Sequence, residues 1–324
     1  MDKLAQIKAP ISGELVLFKR LFDESLCTSN ELLNGAVVHI RQKQGKMMRP
    51  MLLLLTARLF GTIASATYHA AVSLELLHTA SLVHDDVVDE SSERRGQPSV
   101  NAAYNNKVAV LVGDYLLATS LAQVSRTERH AIIDVISRLG QQLSEGELIQ
   151  LSNVSKAQFS ESSYFDVISK KTAALFAACT EAGALSVCAT DENVLLARSV
   201  GEGIGLCFQI RDDIFDYYDD VQIGKPTGND MLEGKLTLPA LYALNSTPDE
   251  EAHRLALRVK QGTATPNEIA WLIEFSKQHG GILYATNTMF RQRDKVRSLL
   301  EPLPDTDVKQ ALLNYLDYVV EREI

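Results

Sequence analysis

No proline interrupts the chain between Pro98 and Pro226, and through that stretch apolar residues recur at three- and four-residue intervals with polar residues between them. A proline-free run with helical periodicity and little strand-like alternation can be filled only by several long helices. Ala and Leu outnumber the β-branched residues at the apolar positions, which again favours an all-α fold. The pattern predicts helices over residues 50–61, 67–89, 108–126, 131–153, 164–188 and 193–218. Pro50 stands as the N1 proline of the first and Gly61 as its stop. Residues 221–236 carry three glycines and one proline and read as an ordered loop. Two further helix starts are signed at Thr247-Pro248-Asp249-Glu250 and Thr265-Pro266-Asn267-Glu268, with Thr at the N-cap, Pro at N1 and Glu at N3. No break in composition marks a linker, so a single helical domain over residues 1–324 is expected.

Charge narrows the function. Lys+Arg 32 against Asp+Glu 41 leaves a formal charge of -9, which disfavours nucleic acid as a partner and still permits a local basic pocket. Cys27, Cys179, Cys188 and Cys207 show no CxxC pairing; the last three lie in apolar sequence and read as buried thiols of a reducing compartment. The first residues lack the form of a secretory signal, and the apolar run beginning at Met51 meets Arg58 too soon to span a bilayer. A cytoplasmic protein is expected, one still able to touch a membrane surface.

Two acidic clusters carry the chemistry. In His84-Asp85-Asp86-Val87-Val88-Asp89-Glu90, Asp85 and Asp89 fall one helical turn apart on one face, with Asp86 beside them. Asp212-Asp213-Ile214-Phe215-Asp216 repeats that spacing. Three ionised carboxylates held so close repel one another, a situation relieved by a divalent cation or by raised pKa values, and all-oxygen donors favour magnesium. Either cluster alone could be an ordinary solvated face. Both, however, follow apolar sequence, Ser81-Leu82-Val83 and Cys207-Phe208-Gln209-Ile210, as residues lining a cleft would. Two carboxylate pads could hold magnesium against a departing diphosphate. Lys46, Arg49, Arg94, Arg95, Lys171, Lys225 and Lys235 are the candidate cations, with the adjacent Arg94 and Arg95 best suited to clamp phosphate oxygens.

The ordered motifs resemble those of the trans-isoprenyl diphosphate synthase family. They are His78-Thr79-Ala80-Ser81-Leu82-Val83-His84-Asp85-Asp86-Val87-Val88-Asp89 with Arg94-Arg95-Gly96, then Gln209-Ile210-Arg211-Asp212-Asp213-Ile214-Phe215-Asp216, then Gly224-Lys225-Pro226-Thr227-Gly228-Asn229-Asp230 running into Glu233-Gly234-Lys235. The likeness is strongest to long-chain members such as octaprenyl diphosphate synthases. It implies an isoprenoid synthase-type helical bundle around a central cavity, working as a homodimer and making the side chain of a quinone. By this resemblance Asp85, Asp86, Asp89, Asp212, Asp213 and Asp216 bind magnesium, three ions per site, and the allylic diphosphate. Arg94, Lys171, Thr172, Gln209, Lys225 and Lys235 complete that side, while Lys46, Arg49, His78 and Arg95 hold isopentenyl diphosphate. One departure stands out: where the family has Gly-Gly-Lys-Arg-x-Arg-Pro, this chain has Gln44-Gly45-Lys46-Met47-Met48-Arg49-Pro50, keeping the outer cations and losing a glycine and an arginine.

The implied reaction begins with departure of diphosphate from a farnesyl or geranyl substrate. The isopentenyl alkene attacks the allylic cation, and a proton is then lost to the departed diphosphate. A terpene cyclase would need only one diphosphate site, and a non-catalytic partner subunit would not need all six aspartates. Small residues one turn before Asp85, Ala80 and Ser81, leave a tail path open that bulky residues close in short-chain relatives, with Leu77 as a wall or later stop. The expected product is about C35 to C50, with C40 foremost; C15 to C20 is the alternative.

Overall fold

The computed structural model describes residues 3–42, 45–154, 159–218 and 227–322. Among them every regular element is helical except a two-residue hairpin, in which Glu93 pairs with Pro98 and Arg94 with Gln97, so the all-α expectation holds. The chain forms two compact units. One comprises Met1–Gly140, Leu175–Gly201 and Leu303–Tyr315; the other comprises Gln141–Ala174, Glu202–Pro302 and Leu316–Ile324.

The first unit is organised on the Met48–Phe60 helix, whose residues from Pro50 to Ala57 are all buried. Leu52, Leu53, Leu54 and Leu55 are apolar around the whole circumference, and such a helix is stable only inside a core; each burial contributes about 1.5–3 kcal/mol. The helix begins two residues before Pro50, after Met47 in a left-handed conformation (φ 55), so the proline is the third helical residue instead of the first. The Ser65–Val88 helix bears the first acidic cluster at its C-terminal end. Beside it lies Asn106–Ser125, joined by a reciprocal pair in which Ser73 Oγ donates to the Ser120 carbonyl at 2.9 Å and Ser120 Oγ to the Ser73 carbonyl at 2.8 Å. Nearer the cluster, His84 Nε2 lies 3.4 Å from Asp114 Oδ1. The acidic end of the helix is thus fixed from its side.

The second unit packs Leu238–Ser246, Glu250–Lys260 and Pro266–Gln278 around Tyr217, Met231, Leu244, Val259, Leu272 and Phe275. Thr265 caps as expected: Glu268 Oε2 accepts the Thr265 N–H at 2.8 Å, and Thr265 Oγ1 accepts the Glu268 N–H at 3.4 Å. The matching start at Thr247 does not form. Thr247 closes the preceding helix by donating its N–H to the Ala243 carbonyl, and Asp249 is the N-cap, its carboxylate accepting the Ala252 N–H at 2.8 Å. An anionic cap at a helix N-terminus outweighs the Thr-Pro signal two residues earlier.

Three further expectations are corrected. The helix expected over 164–188 is two, Glu161–Ile168 and Ala174–Ser186, joined by a π-helical turn at Ser169–Ala173. The loop expected over 221–236 contains a short helix, Asn229–Leu232; residues 219–226 lie outside the described ones. Cys179 and Cys207 are buried, with burial pushing both thiols up to about 12, but Cys27 and Cys188 are exposed. Cys188 falls past its helix at φ 57, where its sulfur accepts a bond from Arg129 at 2.8 Å.

Candidate active site

In the first unit the hairpin after the acidic helix turns through Arg95 (φ 55) and Gly96 (φ 70). Two left-handed residues match the twist of a tight hairpin, and glycine takes the second at no steric cost. The turn brings Arg94 back over the helix, where Nε and Nη2 donate to Asp86 Oδ1 at 2.7 and 2.6 Å. Asp86, not Asp85, is the buried member of the cluster; Asp85 is half-buried and Asp89 is exposed at the helix end. Asn101 Nδ2 holds the Asp86 and Ser91 carbonyls at 3.2 and 3.1 Å, tying down the chain between helix and hairpin.

Asp86, Arg94, Arg95, His78, Glu75 and Gly45 line one cavity of about 90 Å³. Gly45 lies against the Arg95 guanidinium, one of the expected homoallylic cations; Lys46 is exposed, and Gln44 lies outside the described residues. Burial, with the charges of Arg49, Arg95 and Arg94, holds the His78 imidazole well below its usual range, so His78 is a neutral hydrogen-bonding group and not a fourth cation. Glu75 was not anticipated. Its Oε2 is buried without a hydrogen bond among the described residues, and burial raises its carboxyl against the pull of Arg49 and Arg95. Leu77, Ala80 and Ser81 are not part of this lining. Leu77 and Ala80 are buried, and Ser81 Oγ donates to the His78 carbonyl at 2.9 Å.

In the second unit the buried carboxylate is Asp213. Tyr164 Oη donates to its Oδ2 at 2.5 Å and Gln209 Nε2 to its Oδ1 at 2.7 Å, while Thr172 Oγ1 donates to Gln209 Oε1 at 2.7 Å. Burial pushes Asp213 up to about 7, against the two hydrogen bonds and with the help of Asp212 and Asp216. Asp216 lies just past the Asp191–Phe215 helix and accepts the Asn229 and Asp230 N–H groups at 2.9 and 3.1 Å. Asp212 accepts a short bond from Arg322.

Lys171 and Thr172 sit on the π-helical turn, an irregularity frequent where side chains must be re-aimed for function. Gly146 makes room for it: a Cβ there would lie 3.1 Å from the Lys171 nitrogen. Lys171 pairs with Glu147 at 2.5 Å and Lys235 with Glu233, so both expected diphosphate cations rest on carboxylates of their own chain. Lys171, Thr172, Gln209, Asp213 and Lys235 line a cavity of about 420 Å³ together with Tyr164. Lys225 lies outside the described residues. Tyr164, Glu147 and Arg322 went unseen in the sequence, where a lone tyrosine, glutamate or arginine carries no spacing signal.

Among the described residues no three His, Cys, Asp or Glu side chains converge as a ready-made cage for a metal. The six aspartates nonetheless supply the hard oxygen donors a small dication takes, and two of them already hold a cation, Arg94 on Asp86 and Arg322 on Asp212. The donor set fits magnesium.

Comparison with known proteins agrees with this chemistry. A family model described as polyprenyl synthetase matches residues 30–275. The octaprenyl diphosphate synthase of Escherichia coli is 34% identical over 302 residues, 93% of each chain. The solved geranylgeranyl pyrophosphate synthase of Bacteroides thetaiotaomicron is 58% identical, covers 99% of this chain and 100% of its own, and superposes with a TM-score of 0.89. The polyprenyl synthase of Caulobacter crescentus, solved with calcium and isoprenyl diphosphate, is 29% identical over 98% of each chain with a TM-score of 0.92.

Proposed function

The chain belongs to the polyprenyl synthetase family, the trans-isoprenyl diphosphate synthases, and catalyses the magnesium-dependent condensation of isopentenyl diphosphate with an allylic diphosphate; on that premise we propose that its product is long. The proposed product is an all-trans polyprenyl diphosphate of about C35 to C50, C40 foremost, built on a farnesyl or geranyl primer; each added CH2 contributes about 0.8 kcal/mol if the tail is buried. The observation that carries this reading is the pair Ala80 and Ser81 one turn before Asp85, with the Ser81 hydroxyl turned onto the His78 carbonyl, so that neither side chain projects bulk.

In this reading Asp85, Asp86, Asp89, Asp212, Asp213 and Asp216 hold magnesium, three ions per site, which when bound neutralises charge on the leaving diphosphate. Arg94, Lys171, Lys225 and Lys235 grip the allylic diphosphate, and each described lysine exchanges its own carboxylate partner for phosphate oxygens. Arg49, Arg95 and Lys46 bind the isopentenyl diphosphate, with neutral His78 as a hydrogen-bonding partner. Thr172 and Gln209 are oriented in advance by their bonds to each other and to Asp213, and the hydroxyl oxygen of Thr172 presents a fixed dipole to the allylic cation. The alkene of isopentenyl diphosphate forms the new carbon–carbon bond, and the departed diphosphate takes the proton.

We propose a cytoplasmic homodimer, one catalytic domain per chain, making a quinone side chain and touching the membrane only to release product. The Asn106–Ser125 helix supports the dimer: it is long and apolar enough to cross a membrane by length and composition, and it exposes Leu111, Leu117 and Leu121 on one face.

A C20 product is the second reading, favoured by the 58% identity to the Bacteroides geranylgeranyl pyrophosphate synthase. Chromatography of dephosphorylated products from farnesyl diphosphate and excess isopentenyl diphosphate decides between them. Products that stop at C20 overturn the long-chain proposal.

A further inference from the structure

One oxygen of the Asp212 carboxylate already holds a cation of this chain. Arg322, immediately after the Asp307–Glu321 helix, donates Nη2 to Asp212 Oδ1 in a short contact and to the Phe208 carbonyl at 3.3 Å. Its guanidinium lies 4.1 Å from the centroid of the Phe208 ring and 5.5 Å from that of Phe215. Arg211 supports the same arrangement: Nη2 donates to the Arg322 carbonyl at 3.0 Å, and the Arg211 guanidinium lies 4.5 Å over the other aromatic ring, that of Phe215. The Arg322 side chain is only 20% exposed, and its Nε is buried without a hydrogen bond among the described residues. A surface ion pair is usually loose and worth little. This one is oriented by two aromatic faces and a backbone bond, so its charge is held in place before any ligand arrives.

We propose that Arg322 is a resident counter-cation: it holds Asp212 in the metal-free protein and competes with the metal ion for that carboxylate. The inference rests on the reading of Asp212 as a metal ligand. A guanidinium on Asp212 Oδ1 repels a dication brought to either oxygen of the same carboxylate, so metal binding and the Arg322 contact weaken each other. The apparent metal affinity of the second cluster is lowered by whatever that contact contributes. An arginine with a purely structural role would behave in the opposite way, since its loss would loosen Asp212 and weaken metal binding.

The test is metal binding by the full-length chain without substrate, read by titration calorimetry with Mg2+ and by the loss of free Mn2+ signal in electron paramagnetic resonance. Arg322→Gln is expected to bind either ion roughly three- to tenfold more tightly than the parent, the range that loss of a partly buried ion pair gives. Arg322→Lys keeps the charge but loses the planar stack, and it should fall between the two. Asp212→Asn should weaken binding, and adding Arg322→Gln to Asp212→Asn should then tighten nothing. Unchanged or weaker metal affinity in both Arg322 variants, with Asp212→Asn still weakening binding, overturns the competition while leaving the metal role of Asp212 intact. If Asp212→Asn binds metal like the parent, the ligand reading of Asp212 fails, and the competition fails with it.

Discussion

Arg94 gives two nitrogens to one oxygen: its Nε and Nη2 converge on Asp86 Oδ1 at 2.7 and 2.6 Å, while the Asp86 side chain is 3% exposed. A carboxylate so deeply placed depends on that partner. Removing the arginine leaves a buried charge unpaired, which costs several kcal/mol in a closed interior but less here, because Arg94 itself is about one-third exposed. Arg94→Ala should therefore destabilise the protein by about 1–3 kcal/mol. Arg94→Ala combined with Asp86→Ala should recover part of that loss. Urea unfolding of the four proteins measures both, and independent, additive losses would show that the pair does not act as a unit.

Asp85 and Asp212 are less buried than their neighbours Asp86 and Asp213, so their loss should touch chemistry more than folding. Asp85→Ala and Asp212→Ala are each expected to lower turnover by about 10²-fold or more, as removal of one preorganised charge-stabilising group does. Far-UV circular dichroism should stay at the parent value. A chelated and magnesium-repleted variant with full activity would remove that aspartate from the metal site.

His78 makes stability depend on pH. Its folded pKa is depressed, by burial first and then by Arg49, Arg95 and Arg94, from an ordinary value of 6.5. Above 6.5 both folded and unfolded forms keep the imidazole neutral and its contribution is whole. As pH falls below 6.5 the unfolded chain takes up a proton that the folded chain refuses, and stability is lost until pH reaches the depressed folded pKa. Thermal unfolding between pH 7 and 5 should show this decline, and His78→Gln should flatten it. An equally steep decline in His78→Gln would assign the effect to other groups.

The helices were legible because their signals are local. The apolar circumference of residues 50–57 and the capping box at Thr265 and Glu268 can be read within a few residues, and both are present. What escaped depends on contacts distant in sequence. Asp86 and Asp213 are the buried aspartates of two similarly spaced clusters, and no spacing rule separates Asp86 from Asp85; burial follows from Arg94 on a hairpin and Tyr164 on another helix. The π-helical turn under Lys171 and Thr172 has helical composition on both sides, and the close approach of Gly146 that accompanies it lies more than twenty residues earlier. Arg322 meets Asp212 across 110 residues, and a lone arginine announces no such partner.

On the Asn106–Ser125 helix, Leu111 and Leu121 are 67% and 51% exposed, two large apolar side chains nearly three turns apart on one side of the helix. If this face joins two chains, Leu111→Lys with Leu121→Lys should convert a dimer to a monomer while leaving helical content unchanged. Light scattering at several micromolar concentrations reads the mass directly. A parent protein that is monomeric throughout, or a double variant that stays dimeric, rejects this interface.

Ser81 is the position from which product length can be tested most directly. It stands four residues before Asp85, hence one turn earlier on the same face of the Ser65–Val88 helix, with Leu77 and Leu74 continuing below. If a prenyl chain attached to a diphosphate held at Asp85 runs along that face, as proposed, its passage depends on what projects there. Ala80 has only a methyl group, and the Ser81 hydroxyl is bound to the His78 carbonyl at 2.9 Å, so neither position blocks the way. A phenyl ring at 81 cannot form that bond and has to project from the helix. Ser81→Phe should shift products from about C40 toward C15 or C20, because the burial gained by each further CH2, about 0.8 kcal/mol, is no longer available to the growing tail. Ser81→Ala removes the hydroxyl without adding bulk and should keep the parent distribution. Leu77→Ala should lengthen products if Leu77 is the later stop and leave them unchanged if the chain passes it by. Mass spectrometry of dephosphorylated products separates these outcomes. A folded, active Ser81→Phe protein with the parent's product distribution would show that the tail takes another path, and the length assignment built on Ala80 and Ser81 would go with it.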